Sequence, residues 1–217
     1  NIIRAIGTSR NHVETVLAVS TDKACAPVNT YGMCKAIQEK LALGANEKYP
    51  ETKFICTRYG NVVGSRGSVV PLFRQQMKNG GPITITRKDM TRFLVTLDSA
   101  VNIVFDAIRF GEAGDIYVPD LKSANIMDLA EVMIGDRKTD IEIIGIRPVE
   151  KLHEVLITEE EIPRTIKKDN YYIIRPLLPG IQDNYQPVLT HALSSSEYTM
   201  SKNEIKAFLE EEGFLDY

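Results

Sequence analysis

Hydrophobic and polar positions follow two rhythms along the chain. Residues 14–20, ETVLAVS, form a short apolar, β-branched run of buried-strand character, and KFICTRYG from Lys53 forms a second. Between them, in YGMCKAIQEKLALGANEKY, Ile37, Leu41 and Ala45 recur at i, i+4 and i+8, which predicts a helix with those residues on its packed face. Strand, helix and strand at this spacing make a βαβ unit, and hence a parallel sheet with helices laid on it. The alternation continues with helices near 69–79, 97–109 and 126–134, and strands near 83–86, 114–118 and 141–146. Gly80, Gly81 and Pro82 punctuate the chain, the kind of break that marks passage to a second lobe. Ser201 and Glu204, ahead of Ile205 and Phe208, form a capping box that opens a last helix. The Pro-rich, polar stretch at roughly 176–199 reads as a long surface arm.

At 217 residues the chain is long enough for one large domain or two small ones. With 43% hydrophobic and 25% charged residues and a net charge of -3, it lacks the basic balance of a nucleic-acid binder. No apolar run approaches the roughly 20 residues that span a bilayer, and no basic and apolar leader opens the chain, so no membrane partner is expected. Cys25, Cys34 and Cys56 have no CxxC spacing, which suggests neither a disulfide framework nor a zinc site and points to a reducing cytoplasm. His12, His153 and His191 are scattered without metal spacing, and no metal is expected.

The chemistry concentrates in STDKACAPVNTYGMCK, residues 20–35. Ligands of parallel α/β sheets sit beyond the carboxyl ends of the strands, and STDK follows directly from the first strand, so Thr21, Asp22 and Lys23 are expected at a crevice. Tyr31 and Lys35, four apart at a helix start, share a face. A phenol with a free pKa near 10 is a poor base at neutral pH, and a nearby ammonium favours its phenolate. A YxxxK alone is common by chance. Its place about ten residues after a strand ending in Ser-Thr, with a second strand ending in RYGNVVGS, raises its weight. Taken alone, TDK reads as a solvated loop with a surface ion pair between Asp22 and Lys23.

LAVSTDKACAPVNTYGMCK, RYGNVVGSRGSVVPLF, ITRKDMTRF and GIRPVEKLHEVLI, spread from Leu17 to Ile157, resemble blocks of the extended short-chain dehydrogenase/reductases. Within these, the resemblance is to nucleotide-sugar 4,6-dehydratases of the UDP-N-acetylglucosamine type, which make modified sugars for surface polysaccharides. It implies an α/β fold: the C-terminal part of a Rossmann-like parallel sheet with a smaller α/β substrate-binding lobe. Residues 1–67 would be a partial NAD(P)-binding domain carrying the catalytic segment. Residues 68–217 would be the substrate-binding region, with about 94–120 returning to the Rossmann sheet. The family's opening GxxGxxG turn is not in this chain, and GNVVGSRG from Gly60 matches a substrate-side loop instead. The expectation is a chain that starts inside a helix of the Rossmann half, without roughly the first hundred residues of that fold.

The same resemblance implies the roles. A C5 proton becomes removable once C4 is a ketone, so the family borrows a hydride with NAD or NADP, eliminates water and returns the hydride to C6. Tyr31 would take the C4 hydroxyl proton, Lys35 would tune it and hold the nicotinamide ribose, and Thr21 would bond the C4 oxygen. Lys23 would remove the C5 proton and Asp22 would protonate the departing C6 hydroxyl. Ser20, Tyr59, Gly60 and Val62 join Tyr31 and Lys35 on the cofactor side. Arg66, Arg87, Arg92 and Arg147 are candidates for the two phosphates of a UDP-sugar, with Asn61 and Glu150 beside the sugar. Val149 stands where the family commonly has glycine in RPGEK.

Dehydratases of dTDP-glucose or GDP-mannose usually place Asp-Glu or Ser-Glu after the threonine, so Asp-Lys points to the acetamido-sugar branch, with inversion at C5 left open. The family forms dimers and larger rings, and a homo-oligomer is expected. Two alternatives stand beside the dehydratase. A 4-epimerase or reductase needs Tyr31 and Lys35 but not Asp22 and Lys23, and a truncated relative would bind a nucleotide sugar without chemistry.

Overall fold

The computed structural model describes residues 1–8, 12–176, 186 and 188–215. In chain order the elements are α1 (Ile2–Thr8), β1 (Thr15–Thr21), α2 (Thr30–Lys48), β2 (Lys53–Tyr59), β3 (Asn61–Val62), α3 (Val69–Lys78), β4 (Ile83–Ile85), β5 (Thr91–Val95) and α4 (Leu97–Phe110). They continue with β6 (Ile116–Pro119), β7 (Ser123–Asn125), α5 (Ile126–Ile134), β8 (Ile141–Ile143), β9 (Val155–Ile157), β10 (Thr165–Lys168), β11 (Tyr171–Ile174), β12 (Leu193–Ser194) and α6 (Lys202–Glu211). Two compact units emerge. The first is Asn1–Tyr59, Asp98–Asp120 and Val155–Leu193, and the second is Gly60–Leu97, Leu121–Glu154 and Ser194–Tyr217. The first unit thus takes in 155–193, which the sequence grouped with the substrate-binding region.

The first unit is a five-stranded sheet in the order β1-β2-β6-β11-β10. β1 runs parallel to β2, from Thr15 opposite Lys53 to Thr21 opposite Tyr59, and β2 runs parallel to β6. This is the expected Rossmann-like parallel core, extended by the antiparallel hairpin of β10 and β11. Phe54, Ile55 and Cys56 of β2 are fully buried. Their continuous apolar run reflects a strand covered on both faces.

The face of α2 corrects the sequence expectation. Ala45 is buried, but Ile37 and Leu41 are 58% and 61% exposed, and the buried residues are Gly32, Glu39, Ala42 and Ala45. Small residues let a helix backbone approach a sheet closely, and Glu39 is buried because Arg58 of β2 bonds it. A pattern scored on large apolar side chains favours the other stripe.

The second unit pairs β3 with β5 in parallel and β5 with β7 antiparallel, beside a parallel pair of β4 and β8. Its core gathers Phe73, Ile83, Leu129, Met133, Ile205 and Leu209. Asn125 caps α5 by accepting from the Met127 and Asp128 amides, and the Ser201–Glu204 capping box of α6 is formed in both directions. Of the expected surface arm, 177–185 and 187 lie outside the described residues. Its described part is not all surface: Leu193 and Ser195 are buried, and the Ser195 amide donates to the Glu154 carbonyl.

Asp115 marks a pH dependence of the first unit. Its Oδ2 accepts from the Glu112 amide at 2.9 Å, and Arg175 lies 3.1 Å from Oδ1. Burial outweighs both and raises its pKa from 3.8 to about 6. A carboxyl raised on folding contributes stability that is complete below about pH 4 and lost as pH rises through about 6. Denaturant titrations should show unfolding free energy falling by on the order of 2 kcal/mol from this group across that window. Asp115→Asn should flatten that slope, and an unchanged slope would refute the assignment.

Candidate active site

The carboxyl end of β1 turns directly into a short 3-10 helix, Asp22–Ala24. Thr21 closes the turn: its Oγ1 accepts from the Lys23 amide at 3.4 Å and donates to Asp22 Oδ1 at 2.9 Å. Lys23 Nζ donates to the same oxygen at 2.9 Å. Asp22 has 0% of its side chain exposed and Lys23 29%, so the alternative of a surface ion pair does not describe this pair. Ser20 Oγ and Asp22 Oδ2 are buried with no hydrogen-bond partner among the described residues. Buried polar atoms left without partners are costly and uncommon, which makes this strand end notable.

α2 starts with Asn29, whose Oδ1 accepts from the Gly32 amide at 2.9 Å. Lys35 Nζ donates to the Val19 carbonyl at 2.9 Å and to Gln38 Oε1 at 3.2 Å, so the helix is tied to β1 next to the Thr21 turn. Tyr31 is exposed, and its charge, after burial, contributes to raising the phenol of Tyr59 above its ordinary value. Thr21, Asp22, Lys23, Tyr31, Lys35, Ser20 and Tyr59 therefore all belong to the first unit.

Gly32 makes this arrangement possible. A Cβ there would lie 2.3 Å from the Lys23 carbonyl oxygen, so only glycine lets α2 begin against the Asp22–Lys23 turn. Gly32→Ala should displace that turn at a stability cost of about 1–3 kcal/mol. Turnover should drop by more than the melting shift explains, and full activity in the variant would count against this role.

The remaining candidates lie in the second unit. Gly60 faces Phe93, whose Cβ would stand 2.4 Å from an added methyl. Val62 is half-buried on β3, and Asn61 beside it has a buried Oδ1 with no hydrogen-bond partner among the described residues. Arg66 and Arg147 are exposed. Arg87 is exposed and forks onto Asp89 at 2.7 and 2.9 Å, holding that carboxyl below its ordinary range.

Arg92 is turned inward. It donates to the carbonyls of Thr91, Leu152 and Lys151 at 2.7, 3.0 and 2.8 Å, with Glu150 3.7 Å away. Those bonds use its guanidinium to hold the loop that carries Arg147 and Glu150, a task different from the phosphate contact expected of it. Val149 has φ 60°, the left-handed conformation that favours glycine, so the loop keeps a glycine-type backbone with a branched residue in it.

Sequence reasoning missed a buried chain beside Arg92: Thr91 Oγ1 is 2.8 Å from His153 Nδ1 and 2.7 Å from Ser195 Oγ. Ser195 carried no signal, because it stands in a polar serine run.

Residues 1–176 match the family model described as "Polysaccharide biosynthesis protein". The chain belongs to that family and is of the extended short-chain dehydrogenase/reductase type. It is 44% identical over 180 residues to UDP-N-acetylglucosamine 4,6-dehydratase (inverting) of Campylobacter jejuni, covering 80% of this chain and 53% of the relative. It is also 44% identical over 168 residues to a UDP-glucose 4-epimerase of Rickettsia massiliae, covering 76% and 49%. The X-ray structure of Pen from Bacillus thuringiensis superposes with a TM-score of 0.89 at 32% identity, covering 99% of this chain and 67% of that one. The chain thus spans about half the length of these two curated relatives. More distant solved neighbours, 17–19% identical with TM-scores of 0.55–0.62, share the fold, several of them in complexes with NAD or NADPH. Among the described residues no helix is long and apolar enough to cross a membrane, and no cluster suits a metal ion.

Proposed function

We propose that this protein takes part in dehydrating a nucleotide sugar across C5 and C6, with UDP-N-acetylglucosamine as substrate and NAD or NADP as cofactor. The observation that carries this reading is the buried Asp22 carboxylate, one oxygen of which holds both the Thr21 hydroxyl and the Lys23 ammonium at 2.9 Å. An epimerase or reductase needs the Tyr31–Lys35 pair but has no use for a second acid and base beside it.

The residues suit a bound dinucleotide. Ser20 Oγ and Asp22 Oδ2 are buried without partners among the described residues, at the strand end where such ligands bind, and two of the three N–H donors of Lys35 are committed. Ser20, Tyr31, Lys35, Tyr59, Gly60 and Val62 would hold it. When bound, it would supply the acceptor and later the donor of a hydride.

The protein's own part is proton transfer. Tyr31 takes the C4 hydroxyl proton while Thr21 bonds that oxygen. Passing one proton from Lys23 Nζ to Asp22 across their hydrogen bond turns an ion pair into a neutral amine and a carboxylic acid, so base and acid arise together. Lys23 then takes the C5 proton and Asp22 gives its proton to the departing C6 hydroxyl, which restores the ion pair. Lys23, exchanging with solvent, later returns a proton to C5, and the proton held by Tyr31 leaves to solvent as Lys23 is reloaded, so that one water is lost overall. Arg66, Arg87 and Arg147 would meet the diphosphate, with Asn61 and Glu150 at the sugar. Apolar side chains exposed on α2 and α4, among them Ile37, Leu41 and Phe105, support a homo-oligomer. Three free cysteines support a cytoplasmic setting.

The test is mass spectrometry of UDP-N-acetylglucosamine incubated with the protein and NAD or NADP in heavy water. Loss of one water with solvent deuterium gained at C5 is expected. An unchanged sugar with demonstrably bound cofactor would overturn the reading. Epimerisation at C4 without water loss would favour the second reading, which the Rickettsia relative's name supports.

A further inference from the structure

Arg58 of β2 occupies a place in the first unit that the catalytic scheme does not use. Its Nε and NH2 fork onto Glu39 of α2 at 3.0 and 2.6 Å. NH1 and NH2 fork onto Glu161 at 2.9 and 3.0 Å, and NH1 also donates to the Leu156 carbonyl of β9 at 2.9 Å. These bonds use all five N–H donors of the guanidinium. Its side chain is 3% exposed, and those of Glu39 and Glu161 are 5% and 10% exposed. Arg164 lies 3.7 Å from Glu161, so two cations balance two carboxylates.

Both arms of the candidate site end on this cluster. Glu39 stands four residues beyond Lys35 and eight beyond Tyr31, on the same helical stripe. The Leu156 carbonyl that Arg58 holds also accepts from Cys25 Sγ at 3.4 Å, and Cys25 directly follows the Asp22–Ala24 turn. One planar group therefore meets the helix of Tyr31 and Lys35 through Glu39, and the turn of Asp22 and Lys23 through Leu156 and Cys25. Buried ion clusters of this kind add little net stability over an apolar core of equal volume, while their directional bonds fix geometry.

We propose that Arg58 is a positioning residue, setting where the Tyr31–Lys35 helix stands against the Asp22–Lys23 turn. This rests on the dehydratase reading for its catalytic consequence and on the geometry alone for its mechanical one. Small misplacements of reacting groups cost up to about a hundredfold in rate.

The test uses Glu39→Gln, which removes one fork's charge, Glu39→Asp, which keeps it on a shorter arm, and Arg58→Lys, which keeps the cation without the forks. Expected in folded Glu39→Gln and Arg58→Lys is a kcat at least about tenfold lower, with KM for the UDP-sugar within about twofold. Glu39→Asp should recover part of the loss. An unchanged kcat per folded molecule in both would overturn the proposal, as would a loss confined to KM.

Should the unaltered protein prove inert towards UDP-sugars, the dehydratase reading fails by itself, and amide hydrogen exchange decides the positioning role. Faster exchange in Glu39→Gln over 22–25 and 30–48, with the rest of the first unit unchanged, supports it. Exchange identical to the unaltered protein in those segments overturns it.

Discussion

Lys23→Ala is expected to lower dehydration of the UDP-sugar by about a thousandfold, the span that general acid–base catalysis supplies. Lys23 Nζ is bonded to Asp22 Oδ1, and the carboxylate it serves is fully buried. Without the amine the base assigned to the C5 proton is gone, and Asp22 receives no proton from Lys23 to give to the C6 hydroxyl. Asp22→Asn removes the acid and with it the acceptor of the Lys23 proton, so it should reduce water loss and C5 proton exchange together, by a similar factor. Mass spectrometry in heavy water separates the two, since C5 deuterium uptake and the loss of water change the mass differently. Tyr31→Phe should stop both processes, because the C5 proton gains acidity only after C4 is oxidised. If Lys23→Ala retains C5 exchange while Tyr31→Phe loses everything, the division of labour between Lys23 and Asp22 is wrong.

Arg58→Met should cost roughly 3–5 kcal/mol of unfolding free energy at neutral pH, the usual consequence of leaving a buried charge without its partner. Glu39 and Glu161 would both lose bidentate bonds to Arg58, and among the described residues Glu161 would keep Arg164 and the Thr158 amide and hydroxyl. Burial by itself pushes the Glu161 carboxyl up, and Arg58, with smaller help from the Thr158 amide and Arg164, more than reverses this, holding it below its ordinary 4.5. A carboxyl depressed on folding contributes stability above its unfolded pKa and loses it as pH falls through the folded value. The gap between Arg58→Met and the unaltered protein should therefore be widest above about pH 5 and should narrow on acidification. Urea titrations across this range check both statements, and a loss under about 1 kcal/mol at neutral pH would contradict the first.

Much of the secondary structure was legible because its signals are local. β1, β2 and the helices α2 to α5 fall within a residue or two of the positions that the hydrophobic rhythm predicts, and the Ser201–Glu204 box opens α6 as its spacing requires. Legibility ended where packing chose between equal local patterns. The repeat of Ile37, Leu41 and Ala45 predicted a helix correctly and its buried face incorrectly, since Gly32 and Ala42 carry almost no hydrophobic signal but permit close approach. Ser195 lies among polar neighbours and is nonetheless fully buried, paired with Thr91 from another part of the chain.

The candidate site divides along the same line. Ser20, Thr21, Asp22, Lys23, Tyr31 and Lys35 lie within sixteen residues, on a strand end and the helix that follows it, so their place in one unit could be inferred from the order of residues alone. The arginines could not be sorted that way. Arg58 is committed to partners 19, 98 and 103 residues away, and Arg92 to carbonyls 59 and 60 residues away, whereas Arg66, Arg87 and Arg147 remain exposed. A guanidinium becomes structural or ligand-facing according to which carboxylates and carbonyls the fold brings within about 3 Å of it, a distance that only the folded chain sets.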